Sequence, residues 1–478
     1  FERKKQKIKN FLQGNNENLH KEDHRLRSKK GHPGRKYLMV VALLGFLVLG
    51  HIAIAYDLQP IRLGSKAIDT LASSFNLHKP FYVVVIDAGS TGSRALAFTF
   101  HESILGGNLV LDDELYTETK PGLSAYTGNP KDAAKSLTVL LDKVKSVIPR
   151  SEWQHTPLSM RATAGLRLLP GHEAQDILQE CRKLFEDSNF QVSKNSISIM
   201  DGKDEGIFSW FTVNFLLERF NTHNSGNTVA ALDLGGGSTQ VTFSPDATQE
   251  KQLDGQIYHV NIFNHNMSVY THSYLGMGLM AARKEILTHG MNLDNVNPKE
   301  KIEVRSECIN PIIVDTKWNY GGRTYSINGP VNEMHKLVKT QNFAGGEADR
   351  PIVNFSECLK IVEKYVGRIK KNKPVGLKDH EIFAFSYYFD RATEVGLVDP
   401  FKGGVIQVSA FLKQVKDACD YPNTDQPFVC LDLTFIYVLL HNGFDLEPTT
   451  KLYLYKRING HELSWALGAA FSIIQNGL

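Results

Sequence analysis

The chain has 478 residues, 42% hydrophobic and 22% charged, an ordinary globular composition with length enough for more than one domain. Its 54 basic and 51 acidic residues leave a formal charge of +3, and that balance is uneven: residues 1–36 hold twelve Lys or Arg against four acids, so the remainder is net acidic. No basic patch for nucleic acid is visible in the folded part, which excludes that class of partner.

Residues 37–56 follow the basic tail and read LMVVALLGFLVLGHIAIA between two tyrosines, interrupted only by Gly45, Gly50 and His51. About 20 such residues span a bilayer as one helix. With Arg35 and Lys36 at its first edge, the positive-inside rule puts 1–36 in the cytosol and 57–478 in the lumen or outside. Two rivals stand beside this reading. Ala53-Ile54-Ala55 resembles a signal-peptidase site, which would release a secreted form; a buried core helix fits poorly with the basic flank and the absence of a polar face. Residues 57–80, closing on Lys79-Pro80, read as a stalk or linker helix.

From Phe81 two β-rich runs, YVVVID and RALAFTF, flank the turn Asp87-Ala-Gly-Ser-Thr-Gly-Ser-Arg94. Gly89 and Gly92 free the backbone so that successive N–H groups can point at one anion, Ser90, Thr91 and Ser93 add hydroxyl donors, and Arg94 adds a charge suited to phosphate. A P-loop is excluded, since no Gly-Lys-Ser/Thr occurs and the turn leads into a strand. Alone, such a turn is as readily a bare hairpin.

Asp132–Val147 and Glu173–Phe185 have helical patterns around a strand-like Leu158–Thr163, an alternation that argues for an α/β fold. Met200-Asp-Gly-Lys-Asp-Glu-Gly-Ile-Phe-Ser-Trp210 then precedes a helix-like Phe211–Phe220. Glu205 sits there beside Gly206 where a carboxylate can project into a cleft, although a lone Glu at a helix start is ordinarily just a favourable dipole partner. Val229–Phe243 repeats the first design: VAALDL, a Gly-rich turn, and TQVTF, giving Asp233-Leu-Gly-Gly-Gly-Ser-Thr-Gln240. Two such loops imply a cleft between two domains, and an aspartate at each strand end suits a hydrated Ca²⁺ or Mg²⁺. Further along, Glu381–Thr393 reads as helix, Lys371–Leu377 as loop, Leu431–Leu440 as an apolar run and Glu462–Ile474 as a closing helix.

All five cysteines follow the apolar segment, as an oxidising compartment would favour. Proximity in sequence favours Cys308–Cys358 and Cys419–Cys430 with Cys181 free, one of several connectivities the count allows. Asn266-Met-Ser and Asn354-Phe-Ser are acceptor sequons for glycosylation in a luminal chain.

DAGSTGSR, Ala162-Thr-Ala-Gly-Leu-Arg167, DGKDEGIFSW, LDLGGGSTQ and Trp465-Ala-Leu-Gly468 resemble, in order, the five signature regions of the apyrase, or nucleoside triphosphate diphosphohydrolase, family. The resemblance runs from about Phe81 to the C-terminus. PGLSAY at Pro121–Tyr126, FAFSYYFDRA at Phe383–Ala392 and the single anchor are similar to its nucleoside-diphosphate-preferring branch of the endoplasmic reticulum and Golgi, which also has secreted members. The resemblance implies two RNase-H-like domains of the actin and sugar-kinase type around a nucleotide cleft: 81–200 with 461–478 as domain I, and 201–460 as domain II. It implies Glu205 as general base, Gln240 and Ser238 orienting the attacking water, and Asp87 and Asp233 holding Ca²⁺ or Mg²⁺ through water. Gly89, Ser90, Thr91, Gly92, Ser93, Arg94, Thr163, Gly235, Gly236 and Gly237 would line the phosphate path, and Tyr387 or Tyr388 would stack on the base, core packing being the other role for either.

The expected protein is thus a monomeric, membrane-anchored nucleoside diphosphatase of the secretory pathway, acting on UDP or GDP. Two alternatives remain: a sugar or acid kinase of the same fold, which needs a base beside an acceptor pocket, and a binding module without turnover, which has no need of Glu205.

Overall fold

Strands buried on both faces read as continuous apolar runs, and β1 (Phe81–Ala88, FYVVVIDA) is one of them. It sits at the centre of a five-stranded sheet ordered β3-β2-β1-β4-β5, with β2 at Ser93–Glu102, β3 at Leu109–Thr119, β4 at Leu158–Ala162 and β5 at Ile197–Ile199. β2 runs antiparallel to β1, whereas β4 runs parallel to β1 and β5 parallel to β4. The structure, a computed structural model, describes Val41, Leu44, Gly45, Val48, Ile68, Asp69, Ala72, Phe75 and residues 78–477, apart from 105–108, 222–226, 254, 264, 294–296, 298–299, 332–336 and 342–346.

The same order recurs. β6 (Ala230–Leu234) pairs antiparallel with β7 (Ser238–Phe243), which pairs with β9 (His265–Leu275), the partner of β8 (Ile257–Ile262). Strands β10 (Ile302–Arg305), β11 (Thr316–Tyr320) and β12 (Arg323–Asn328) form a separate small sheet, and β13 (Leu337–Gln341) pairs with β14 (Glu347–Pro351). On the other side of β6 lies β15 (Ile382–Ser386), parallel to it; beyond come β17 (Lys451–Leu454) and the antiparallel β16 (Gly404–Gln407). The core of this seven-stranded sheet, β9-β7-β6-β15-β17, repeats the order and strand directions of β2-β1-β4-β5 with one further neighbour.

The duplication extends to register: Asp87 pairs with Arg94 across the first hairpin and Asp233 with Gln240 across the second, seven residues apart in each. The two copies therefore place an aspartate at the same point of the same turn, which is a statement about the α/β architecture that the sequence alone suggested.

Helices cover the sheets. α1 (Thr138–Val147) and α2 (Gly171–Glu186) bury Leu140, Leu141, Val144, Ile177, Leu178 and Phe185 in a core with β1 and β4. α3 (Gly202–Leu216) packs on β6, β7 and β9, and α9 (Trp465–Asn476) packs on both α3 and β1. Between them in sequence lie α4 (Leu279–Leu287), α5 (Phe355–Val366), α6 (Tyr387–Glu394), α7 (Val408–Asp420) and α8 (Val429–Val438). α8 is buried on almost every side, which is why its sequence VCLDLTFIYV shows no amphipathic face. The disulfides are Cys308–Cys358, joining the β10–β11 connection to α5, and Cys419–Cys430, joining α7 to α8; Cys181 is free and buried.

Three sequence expectations change. Asp132–Val147 is two helices, Pro130–Ser136 and Thr138–Val147, broken at Leu137. Glu381–Thr393 is a strand and then a helix, because IFAF is buried between β6 and β17 and Ser386, at φ 58°, turns the chain before Tyr387. The helix expected over Phe211–Phe220 begins earlier, at Gly202, and ends at Leu216, so Glu205 lies inside its first turn.

By its contacts the chain divides into two units, Phe1–Lys79 with His101–Val110, and Pro80–Phe100 with Leu111–Leu478. Both sheets belong chiefly to the second. The apolar run 37–56 and most of 57–80 lie outside the described residues; Val41, Leu44, Gly45 and Val48 are helical and exposed. Among the described residues, no helix is long and apolar enough to cross a membrane.

Gly468 marks the closest approach of α3 and α9. A Cβ there would lie 2.5 Å from the Phe208 carbonyl oxygen, and the Gly468 N–H donates to Thr212 Oγ1 at 3.1 Å. Gly468→Ala is therefore expected to lower stability by about 1–3 kcal/mol through overpacking against backbone, measured as a fall in the denaturant midpoint; an unchanged midpoint would contradict the close packing.

Candidate active site

Each hairpin turn is closed by the same backbone bond, from Gly89 N–H to the Gly92 carbonyl in the first and from Gly235 N–H to the Ser238 carbonyl in the second, both at 3.0 Å. The turns meet. A Cβ on Gly236 would stand 2.3 Å from Ser90 Oγ and 3.0 Å from Thr91 Cγ2, so any larger residue there has to displace the Ser90 hydroxyl. The first loop rests in turn on Gly165, where a Cβ would lie 2.7 Å from Ser90 Cα.

Around this contact opens a cleft of about 890 Å³. Asp87, Gly89, Ser90, Thr91, Arg94, Thr163, Glu205, Asp233, Gly235, Gly236, Gly237, Ser238 and Tyr387 all line it. Gly92, Ser93, Gln240 and Tyr388 do not line it. A Cβ on Gly92 would lie 2.9 Å from the Thr119 carbonyl, Ser93 is fully buried, and Tyr388 is fully buried in the core beneath β15, whereas its neighbour Tyr387 faces the cleft.

Of the carboxylates lining the cleft, Asp87, Glu205 and Asp233 are each only 7–8% exposed. Asp87 Oδ2 accepts from Arg94 at 3.2 Å, while its buried Oδ1 has no partner among the described residues. Asp233 accepts from Ser386 Oγ at 2.7 Å and from Ser209 Oγ at 3.0 Å. Ser386 holds its positive φ of 58° as the last residue of β15, opposite Leu234, the register position that Ala162 takes opposite Ala88 in the first sheet. A non-glycine residue in such a conformation costs of order 1–3 kcal/mol and is commonly retained at a functional site.

Glu205 projects from the first turn of α3, whose N-cap Asp201 accepts from Lys203 N–H at 3.0 Å. The next residue has to be glycine, since a Cβ on Gly206 would fall 2.2 Å from Thr271 Oγ1 and 2.6 Å from Thr242 Oγ1. Glu205 Oε2 accepts from the Arg167 guanidinium and, at 3.0 Å, from the Gln240 amide, which also lies 2.8 Å from Ser238 Oγ and 3.0 Å from Ser273 Oγ. Gln240 Oε1 is buried and has no partner among the described residues.

Burial dominates the electrostatics. It pushes the Asp87 carboxyl up to about 6, opposed by the Arg94 charge and assisted by that of Asp233. It pushes Glu205 further, to about 8, opposed by Arg167 and assisted by Asp233 and Asp87. Asp233 is raised as well, by burial, against the bonds from Ser386 and Ser209. Carboxyls arranged to resist ionisation in this way are the signature of a site completed by positive charge.

At the other end of the cleft, Arg283 forks onto Asp432 through Nε at 3.0 Å and Nη2 at 2.5 Å, and its guanidinium lies 4.2 Å from the Phe428 ring centroid. Arg391 joins the same carboxylate at 3.4 Å and lies 5.8 Å from the Tyr387 ring. Tyr387, Phe428, Arg283 and Arg391 line this end together.

The profile of the GDA1/CD39 (nucleoside phosphatase) family matches residues 76–476. The chain belongs to that family. It is 39% identical over 400 residues to the nucleoside diphosphate phosphatase ENTPD5 of Homo sapiens, covering 83% of this chain and 88% of the relative. To ectonucleoside triphosphate diphosphohydrolase 6 of Homo sapiens it is 37% identical over 422 residues, with coverage of 87% and 81%. A solved nucleoside triphosphate hydrolase from Neospora caninum superposes at a TM-score of 0.56 and 13% identity, covering 88% of this chain and 98% of that one, a likeness of fold.

Five residues in or around the cleft carry no role in the sequence analysis. Arg167 stood within a quoted motif, but nothing in the sequence aimed it at Glu205. Ser209 and Ser386, which hold Asp233, carry no local signal except position: one helical turn after Glu205, and the end of a strand. The Arg283–Asp432 pair is 149 residues apart and had no signal at all.

Gly236→Ala is expected to displace the Ser90 hydroxyl and to lower kcat/KM for phosphate release by about 10- to 100-fold, as small misplacements of binding groups do, with a thermal midpoint near that of the parent. Unimpaired turnover in that variant would contradict the contact between the loops.

Proposed function

We propose that this nucleoside phosphatase removes the terminal phosphate of nucleoside diphosphates by attack of a water that Glu205 deprotonates. The observation that carries the reading is the convergence, on one cleft, of two glycine loops, two aspartates and a buried glutamate held by Arg167 and Gln240. The relatives' names point to the same substrate class: a nucleoside diphosphate phosphatase and a triphosphate diphosphohydrolase.

Phosphoryl transfer is catalysed mainly by positioning and charge neutralisation. The backbone N–H groups of Ser90, Thr91, Gly236 and Gly237, the hydroxyls of Ser90, Thr91 and Thr163, and the Arg94 guanidinium would grip the phosphate oxygens. Gln240 Oε1, buried without a partner among the described residues, is suited to accept a hydrogen bond from the attacking water while Glu205 takes that water's other proton. Ser238, lining the cleft beside the Gln240 amide, would orient the same water. Tyr387, opposite Phe428, would stack on the base.

Asp87 and Asp233 fit a hydrated Ca²⁺ or Mg²⁺: both are acid oxygens, both are buried with raised pKa, and Asp87 Oδ1 lacks any other partner among the described residues. When bound, the cation supplies positive charge against the phosphate oxygens. Residues 81–200 with 461–478 would form one lobe and 201–460 the other, with 37–56 anchoring the chain in a secretory-pathway membrane, the Golgi above all, and the catalytic part on the luminal side.

Glu205→Gln is expected to lower phosphate release by about 10²- to 10⁴-fold while nucleotide still binds, read by malachite-green assay beside equilibrium binding. Retained hydrolysis would remove Glu205 from the role of base, and release of phosphate without any acceptor separates a hydrolase from a kinase of this fold.

The pKa shifts fix a sign. Glu205 acts ionised and its carboxyl is raised, so kcat/KM climbs as pH rises through that pKa. A cation beside Asp87 and Asp233 cancels the two charges that add to the rise, and should move the climbing limb to lower pH as Mg²⁺ increases. Arg167→Ala removes the charge that opposes the rise and should move the limb to higher pH. A limb fixed under both changes would contradict the electrostatic reading.

A further inference from the structure

The unit formed by residues up to Lys79 and by His101–Val110 holds a compact group of donors. Asp69 and His78 precede β1, and His101 is the next-to-last residue of β2. One ligand atom from each of the three lies within 4.8 Å of the others. Asp69 and His101 are buried, at 8% and 4% exposure, and the His78 side chain is 9% exposed. We propose that Asp69, His78 and His101 form a binding site for a divalent transition-metal ion of the zinc class, distinct from the nucleotide cleft.

The geometry supports the assignment at three points. The His78 and His101 rings lie 4.0 Å apart at 36°, close enough for one nitrogen of each to reach a common ion. His78 Nε2 lies 3.2 Å from the Asp69 carbonyl oxygen and 3.8 Å from Asp69 Oδ1, so its reactive nitrogen is already turned toward the carboxylate. Ligand atoms on a tetrahedral ion with bonds of about 2.0–2.1 Å stand roughly 3.4 Å apart, so donors that lie within 4.8 Å of one another need close by at most about 1.4 Å.

The carboxylate is also held as metal-bound carboxylates are, by hydrogen bonds from outside the ligand set. Ser103 Oγ donates to Asp69 Oδ2 at 2.7 Å and the Ile104 N–H donates to Oδ1 at 3.1 Å. The donor set decides the class of metal. Two imidazoles and one carboxylate suit Zn²⁺ and its neighbours, whereas Ca²⁺ and Mg²⁺ take oxygen ligands almost exclusively. Cation binding at this site is therefore separable from the cation that nucleotide hydrolysis uses. An ion bound here would pin the segment before β1 to the end of β2.

The test uses the full chain, stripped with chelator and then titrated with Zn²⁺ or Co²⁺ in excess Mg²⁺. The expected result is uptake of about one ion per chain that Mg²⁺ does not displace, with Co²⁺ giving the visible absorption of a low-coordinate, imidazole-bound ion. His78→Ala, at the most exposed ligand, should abolish that uptake, and Ser103→Ala should weaken it about 10- to 100-fold, while Mg²⁺-dependent phosphate release persists in both. Asp69→Asn provides a second ligand variant should His78→Ala fold poorly. No uptake by the stripped parent, or uptake that the ligand variants leave unchanged and other histidines therefore supply, would overturn the proposal.

Discussion

The whole site depends on the contact of Gly236 with Ser90. That contact brings two loops from separate sheets together and, through the fixed register of each hairpin, sets Asp87 and Asp233 on one cleft. Burial strips both of water and raises both pKa values, and the charge of Asp233 adds to the rise at Asp87. The fold holds them with short hydroxyl bonds from Ser209 and Ser386 and with one guanidinium, rather than with a full set of counter-charges. The charge left uncompensated is what the proposed function uses: a cation and a nucleotide's phosphates would complete it together.

The duplication makes that arrangement economical. One strand-turn-strand unit, used twice, supplies both phosphate loops, and the position opposite the aspartate is varied: Arg94 in one copy, Gln240 in the other. Charge is useful where phosphate oxygens are gripped, and a neutral amide is useful where a water must be turned without competing for the proton. Glu205 enters from α3, a helix that belongs to neither hairpin and packs against β6, β7 and β9, so base and loops are positioned by one continuous body of side chains. Arg167 completes it from the other hairpin's sheet, its charge working against the burial that keeps Glu205 protonated.

Much of this was legible in the chain. The two Gly-rich turns are legible because the second repeats the first, each with an aspartate closing a continuous apolar run before a turn of glycine and hydroxyl residues. The disulfides were legible from proximity. Less legible was anything fixed by long-range contact. IFAF before Tyr387 has the length and apolarity of either a strand or a buried helix, and only its pairing with β6 and β17 decides. Tyr387 and Tyr388 are equivalent in sequence, and a single 100° step on α6 separates the cleft from the core. Arg283, Asp432 and Phe428 meet from distant segments, so no local pattern marks them.

The account's central claim is that the loops hold the terminal phosphate with an activated water behind it. Hydrolysis of a nucleoside diphosphate in ¹⁸O-enriched water tests it directly, with mass spectrometry of both products. The account predicts one ¹⁸O atom in the inorganic phosphate and none in the nucleoside monophosphate. Label in the monophosphate would mean attack at the inner phosphorus, and the placement of Glu205 and both loops would have to be abandoned.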